Sequence, residues 1–290
     1  MNIIDKLYKR VEERGVVCVG LDPAIDYVPE EILKRSKDEA EAIFNFNKEI
    51  IDATHDVAAV FKPQIAYYEA LGIRGLQAYK QTLDYLKEKD AIIIADIKRG
   101  DIAATAKMYA KAHFEGDFEA DFITLNPYMG MDSIEPYLPY LGDGKKGLFP
   151  LVRTSNPGSN DIEFLDTELG HKVYHEVGDK LTKMGEAYVG QCGYSQIGGV
   201  LGCTHKAEAQ ELRKRFGKMF FLIPGYGAQG GTAEDVALYL SNGNGGVVNS
   251  SRKILLAYRD GDGSKSIGYY ARQEAIRMRD EIREAVKKQG

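Results

Sequence analysis

Charged side chains of both signs follow the apolar run at 91–95, in the order acid, base, acid: Asp96, Lys98 and Asp101. Because side chains alternate along a strand, Asp96 and Lys98 are expected on one face. Lys62, at the end of another apolar run, can extend this alternation of ammonium and carboxylate groups, which keeps each group ionised. An ammonium fixed beside a carboxylate can protonate a carbon that is losing a carboxylate group. The pattern therefore favours decarboxylation with protonation.

Each of these residues also has a simpler structural explanation. A lysine at a strand end commonly extends into solvent. Asp101 precedes the helical pattern AATAKMYAKAHF, where it can serve as the N-cap. These explanations are less convincing for the residues as a group. If two lysines and three acids lie together at one end of the fold, all of them must be paired. We therefore predict one catalytic site that contains Lys62, Asp96, Lys98 and Asp101.

The elements that must position these residues recur as eight short apolar runs. Each has the length of a strand and is rich in Val, Ile and Phe, which is typical of strands buried on both faces of a parallel sheet. Amphipathic helical patterns lie between some of them, at 40–54, 76–89 and 232–240, and another closes the chain at 267–288. The runs are VVCVGLD (16–22), VAAVFK (57–62), AIIIADIK (91–98), DFITLN (121–126), GLFPLVR (147–153), IGGVLG (197–202), MFFLIPG (219–225) and GGVVNS (245–250).

Eight alternating units predict an α/β fold of the (β/α)8 TIM-barrel type, with 1–290 as a single catalytic domain. The alternative is a doubly wound open sheet. Neither GxGxxG nor GxxxxGK[ST] follows the first strand, which counts against that alternative. The long stretch at 157–196 is interpreted as an insert that can add a helix and part of a lid.

A barrel fold predicts where function resides. Active sites lie at the carboxyl ends of the strands, and phosphate commonly binds after strands seven and eight. Asp22 ends the first run, and Ser155 follows the fifth. The glycine-rich segment PGYGAQGG at 224–231 follows the seventh run and Arg252 follows the eighth, so we expect phosphate at these last two loops.

Composition restricts the partners and the compartment. The formal net charge of −5 argues against a general affinity for nucleic acid or anionic lipid. The three cysteines have no paired spacing, which is typical of reduced thiols in the cytoplasm. The stretch at 1–15 is a charged amphipathic helix rather than a signal peptide, and no run reaches the ~18 apolar residues of a membrane span. We expect a soluble cytoplasmic protein that binds neither nucleic acid nor membrane.

Taken together, the motifs resemble the orotidine 5′-monophosphate decarboxylase family over essentially the whole chain. The Asp-x-Lys-x-x-Asp spacing is characteristic of its superfamily, and the chain length with two of the segments resembles the longer bacterial subgroup. The resemblance implies conversion of orotidine 5′-monophosphate to UMP in pyrimidine biosynthesis, with no metal and no cofactor. The segments are GLDP (20–23), FKPQ (61–64), ADIKRGDIAAT (95–105), RTSNPGS (153–159), PGYGAQGG (224–231) and NSSR (249–252).

The resemblance also implies a role for each matching residue. Lys98 would donate a proton to C6 of the pyrimidine, Asp96 would face the departing carboxylate, and Lys62 would bridge Asp96 and the ribose. Asp101 and Thr105 would reach into the active site of the other subunit of a homodimer. The remaining substrate contacts would be Asp22 with the ribose hydroxyls, Ser155 with the pyrimidine ring, and Gln229, the backbone of Gly230 and Gly231, and Arg252 with the 5′-phosphate.

Two other functions remain as alternatives. A sugar-phosphate decarboxylase of the same superfamily uses Mg²⁺, but its second strand carries an acid where this chain has Lys62, which would repel the cation. A non-catalytic barrel that senses a nucleotide would not need Asp96 and Lys98 together, yet the sequence does not exclude it. His171 and His175 share the spacing of one helical face, but Lys172 replaces the Glu of HExxH, so a surface helix is favoured over a metal site.

Overall fold

A computed structural model describes residues 1–227 and 229–289. Ala228, in the glycine-rich segment 224–231, and Gly290, at the end of the predicted domain, lie outside the described residues. Eight strands occur in the described part. They are β1 (Val17–Leu21), β2 (Val60–Pro63), β3 (Ile94–Arg99), β4 (Phe122–Leu125), β5 (Gly147–Arg153), β6 (Ser195–Leu201), β7 (Met219–Ile223) and β8 (Gly246–Ser250).

The strands form one parallel sheet that curves back on itself. Their order is β2-β1-β8-β7-β6-β5-β4-β3, and every paired neighbour runs in the same direction. Parallel bridges from Phe61 to Ile93 and from Gln64 to Asp96 join the two ends of this order. The result is the predicted (β/α)8 barrel, and the open doubly wound sheet is excluded.

Helices cover the outside of the barrel. The last helix packs against the third and the ninth and so closes the ring next to the first strand. Among the described residues, no helix is long and apolar enough to cross a membrane. The helices are α1 (Ile3–Arg14), α2 (Glu30–Arg35), α3 (Glu39–Thr54), α4 (Ala66–Glu69), α5 (Gly72–Glu88), α6 (Ala103–Phe114), α7 (Val173–Gly185), α8 (Lys206–Arg215), α9 (Ala233–Ala237), α10 (Arg252–Leu255) and α11 (Ile267–Lys287).

Large side chains fill the barrel interior, so it is a packed core rather than a channel. The rings of Phe122 on β4 and Phe149 on β5 lie 5.2 Å apart, and both side chains are fully buried. Gly198 on β6 makes room for them: a Cβ there would lie 2.6 Å from the Phe149 ring and 2.5 Å from the carbonyl oxygen of Phe220. Solvent and substrate can therefore approach only from the ends of the strands.

The helix predicted at 232–240 forms only over its first part. The pattern at 232–240 predicts a helix with a Thr232 cap, and Thr232 does form a capping box with Asp235. The regular helix nevertheless ends at Ala237. The amides of Tyr239 and Leu240 donate to carbonyls three residues back, so the last turn tightens.

In the stretch at 157–196, α7 occupies the position of the helix between β5 and β6, and the additional residues precede it in the chain.

Candidate active site

Asp96 is buried at the centre of a group of charges at the carboxyl ends of β2 and β3, in which Lys98 reaches solvent. Its Oδ2 accepts a hydrogen bond from Lys62 Nζ at 2.6 Å, and its Oδ1 accepts one from Lys98 Nζ at 2.5 Å. Lys62 Nζ also lies 3.9 Å from Oδ1 of Asp22. The side chains of Asp96 and Lys62 are only 8% and 6% exposed, so little water screens their attraction.

Electrostatics keeps this group ionised. Burial alone would raise the pKa of Asp96, but the ammonium groups of Lys62 and Lys98 outweigh it and hold that pKa far below its usual range. Burial alone would lower the pKa of Lys62, and the carboxylates of Asp96 and Asp22 instead raise it above its usual range. Asp96 therefore remains a carboxylate throughout the physiological pH range.

Lys98 reaches Asp96 from an unusual backbone conformation. Its φ is 44°, in the left-handed region, where a residue with a side chain is strained by on the order of 1–3 kcal/mol. The pairing of β3 with β4 shifts register between Ala95 and Arg99, so Lys98 lies in a bulge. Asp96 and Lys98 meet as predicted, although β3 is bulged here and is not a regular strand.

Thr124 on β4 completes the group, although no motif in the sequence predicted a role for it. The residue is 1% exposed, and its hydroxyl donates to Asp96 Oδ1 at 2.9 Å. The hydroxyl oxygen of Thr124 also accepts the backbone N–H groups of Ile97 and Lys98, each at 3.0 Å. The only signal in the sequence is a hydroxyl residue inside the otherwise apolar run FITL.

A cavity of about 870 Å³ opens above these charges, large enough for a nucleotide-sized ligand. The loops after β4, β5 and β7 enclose it, and apolar side chains from β5, β6, β7 and α7 form one wall. The cavity thus combines an apolar surface with a charged floor. Six of the predicted site residues line it: Asp22, Lys62, Asp96, Lys98, Ser155 and Gln229.

The other predicted site residues lie at the rim or outside this cavity. Arg252 begins α10 and lines an open groove of about 750 Å³ beside α11, together with Lys253 and Arg277. Gly230, with a φ of 91°, is exposed in the loop after β7, whereas Gly231 is buried and bridges to Tyr226. Gln229 and Arg252 thus line two different depressions, the cavity and the groove beside α11.

Asp101 and Thr105 lie just before α6 and within its first turns. Oδ1 of Asp101 accepts the N–H of the next residue, Ile102, which is itself the N-cap of α6. The alternative role of Asp101 as the N-cap is therefore wrong. Thr105 is exposed in the first turns of α6. Neither residue lines the cavity formed by the described parts of this chain.

Arg153, at the end of β5, anchors the chain that roofs the cavity. It is 2% exposed, and Nη1 donates to Ser159 Oγ at 2.6 Å and to Glu163 Oε2 at 3.3 Å. Its Nε donates to Glu208 at the start of α8 at 3.3 Å. Glu163 in turn accepts the hydroxyl and the N–H of Thr154 at 2.7 and 2.8 Å. The loop that carries Ser155 is therefore fixed by a buried cation.

The histidine pair on and before α7 lies beside α8. The rings of His171 and His175 are 6.2 Å apart at their centroids, and His175 Nε2 lies 3.3 Å from Glu211 Oε2. Within residues 1–227 and 229–289, no group of three or more His, Cys, Asp or Glu side chains is arranged to hold a metal ion. These contacts instead tie α7 to α8.

The eight-stranded barrel, with paired charges at the carboxyl ends of its strands, defines a (β/α)8-barrel enzyme. The family model described as "Orotidine 5'-phosphate decarboxylase / HUMPS family" matches residues 15–264. The chain is 67% identical to an orotidine 5′-phosphate decarboxylase of Clostridium perfringens, over 99% of this chain and 100% of the relative. It is 65% identical to the Clostridium tetani protein of the same name, over 98% and 99% of the two chains.

Solved structures agree with this result. The OMP decarboxylase of Leishmania donovani superposes with a TM-score of 0.77 at 28% identity and covers 99% of both chains. The UMP synthase of the same organism gives a TM-score of 0.77 at 30% identity, over 98% of this chain and 57% of the longer one. The chain therefore belongs to the orotidine 5′-phosphate decarboxylase / HUMPS family.

Replacing Arg153 by Met should lower the free energy of unfolding by about 1–3 kcal/mol, because several buried acceptors lose their donor. The matched control is Arg277→Met. Arg277 also contacts two glutamates, Glu274 and Glu281, but its side chain is 42% exposed, so its loss should cost at most about 1 kcal/mol. Denaturant unfolding of both variants measures the difference. Equal losses of unfolding free energy in the two variants would show that the contacts of Arg153 contribute no more stability than an exposed ion pair.

Proposed function

We propose that this chain converts orotidine 5′-monophosphate to UMP and CO₂ in pyrimidine biosynthesis. The observation that carries the proposal is the carboxylate of Asp96, buried between the ammonium groups of Lys62 and Lys98. The relatives at 65–67% identity that bear the name orotidine 5′-phosphate decarboxylase support the same reaction. The alternation of charge suits a substrate that enters with a carboxylate and leaves without it.

In the proposed reaction, the bond between C6 of the pyrimidine and its carboxylate breaks and CO₂ leaves. The electron pair of that bond stays on C6, where the ammonium of Lys98 supplies a proton, and Lys98 then regains a proton from solvent. Asp96 faces the substrate carboxylate, so repulsion between the two anions is relieved as CO₂ departs. Lys62 holds Asp96 ionised and would contact the ribose.

The rest of the nucleotide supplies binding energy away from the reacting carbon. Asp22 would bind the ribose hydroxyls and Ser155 the pyrimidine ring, and both line the cavity. Gln229 would bind the 5′-phosphate from the cavity edge, with Gly230, Gly231 and Arg252 joining it when the loops after β7 and β8 close. Such closure would bring together phosphate contacts that are separate in this structure.

The two alternative functions fit these contacts less well. In the Mg²⁺-dependent decarboxylase, a cation would have to sit near Asp22 and Asp96, and Lys62 Nζ already lies 2.6 Å from Asp96 and 3.9 Å from Asp22. A non-catalytic nucleotide sensor has no use for a proton donor held against a buried carboxylate. Binding of UMP alone would satisfy such a sensor, so turnover separates it from the enzyme.

We further propose that the active unit is a cytoplasmic homodimer, with each chain forming one catalytic domain over 1–290. Asp101 and Thr105 do not line the cavity of their own chain, so they can complete the site of a second copy docked on this part of the barrel. Apolar side chains are exposed there: Ile102 and Met108 are 41% and 62% exposed, and Tyr128 is 75% exposed. A second copy would cover them. The unpaired thiols of Cys18, Cys192 and Cys203 suit a reducing compartment.

The loss of orotidine 5′-monophosphate absorbance tests the function directly. The wild-type protein should consume the nucleotide equally well with and without EDTA, and orotidine lacking phosphate far more slowly, because phosphate binding drives closure. Lys98→Ala should abolish turnover and remain folded, whereas Lys214→Ala, at an exposed position of α8, should retain it. Activity lost with EDTA would favour the metal-dependent relative. A folded Lys98→Ala variant with near-normal turnover would refute its role.

Mixing two inactive variants tests the shared site. When Lys98→Ala and Asp101→Ala chains are refolded together, each heterodimer should contain one site with both changes and one with neither. Activity should therefore return to about half of the wild-type value per heterodimer. Each variant refolded alone is the control, and mass spectrometry of the mixture counts the heterodimers. Mixtures that contain heterodimers but stay inactive would place the action of Asp101 within its own chain.

A further inference from the structure

The hydroxyl of Thr124 uses its full hydrogen-bonding capacity on the charged group of the site. A threonine hydroxyl has one donor and two acceptor positions. Its donor goes to Asp96 Oδ1 at 2.9 Å, and its acceptor positions take the N–H groups of Ile97 and Lys98, each at 3.0 Å. The side chain points into the barrel from the middle of β4 and is buried, so water does not compete for these partners.

In a regular parallel ladder, the N–H groups of Ile97 and Lys98 would donate to carbonyls of the neighbouring strands. The register shift between Ala95 and Arg99 removes Ile97 and Lys98 from that ladder. The hydroxyl of Thr124 takes the place of the missing backbone acceptors. It thereby stabilises the bulge in which Lys98 adopts its φ of 44°.

The same hydroxyl also fixes the carboxylate against which Lys98 rests. Asp96 Oδ1 accepts both the Thr124 hydroxyl and Lys98 Nζ, whereas Oδ2 accepts Lys62 Nζ. Thr124 therefore holds both the backbone of Lys98 and the carboxylate of Asp96, and so sets the distance between the ammonium and the carboxylate.

We propose that Thr124 is a positioning residue for proton delivery, which holds Lys98 and Asp96 in register with the reacting carbon. The inference rests on the roles proposed above for Lys98 and Asp96. Thr124 acts through these two residues, so its loss should slow the chemical step and leave nucleotide affinity intact. The phosphate, ribose and ring contacts that hold UMP come from other loops.

The test compares Thr124→Val, which keeps the shape and removes the hydroxyl, with Thr124→Ser, which keeps the hydroxyl. The valine variant should lower kcat by roughly 10- to 100-fold, the range typical of residues that orient a catalytic group. The serine variant should retain most of the wild-type kcat. The Kd for UMP, measured by calorimetry, should stay at the wild-type value in both. Exchange of the C6 proton of bound UMP with D₂O, followed by NMR, should slow in parallel with kcat.

The outcomes are separable. A folded valine variant with wild-type kcat, or one that loses UMP affinity as strongly as kcat, would overturn the positioning role. If the valine variant does not fold, Thr124→Ala replaces it: a loss of kcat with retained UMP affinity supports the proposal, and normal kcat overturns it. Lys98→Ala is measured alongside. Turnover by that variant would refute the proposed role of Lys98 itself, whatever the threonine variants do.

Discussion

The structure of the site depends on one constraint: the carboxylate of Asp96 is removed from water and must be paired. Two ammonium groups, from Lys62 on β2 and Lys98 on β3, satisfy it at 2.6 and 2.5 Å. A buried carboxylate with a single partner would be costly, and with none it would become protonated. The barrel supplies both partners because the carboxyl ends of neighbouring parallel strands converge. The bulge in β3 and the hydroxyl of Thr124 complete the arrangement.

The roof of the cavity is also fixed by a buried charge that must be paired, but here the charge is positive. Arg153 is a buried cation, and the loop after β5 supplies Ser159 and Glu163 as acceptors while the start of α8 supplies Glu208. The floor and the roof are thus each fixed by a desolvated charge. The loops after β7 and β8, which are proposed to bind phosphate, contain exposed residues such as Gln229 and Gly230.

The sequence predicted the architecture well because burial on both faces leaves a signal in every strand. The run at 147–153 matches β5, and the pattern at 103–114 matches α6. The left-handed φ of Lys98 and the role of Thr124 were not predictable, because both depend on the register between β3 and β4, which local patterns do not contain. The buried state of Arg153 depends in the same way on acceptors up to 55 positions along the chain. Asp22, Ser155 and Gln229 reach the cavity as expected, whereas Arg252 lies beside α11.

The most direct test of this account is the titration of the Asp96 carboxyl carbon by NMR, with Asp96→Asn used to assign the resonance. If the two ammonium groups dominate burial, the carbon should keep its ionised chemical shift down to the pH at which the protein unfolds. An isolated aspartate titrates near a pKa of about 3.9. A titration midpoint at or above that value in the folded protein would show that burial prevails over Lys62 and Lys98, and would contradict the account.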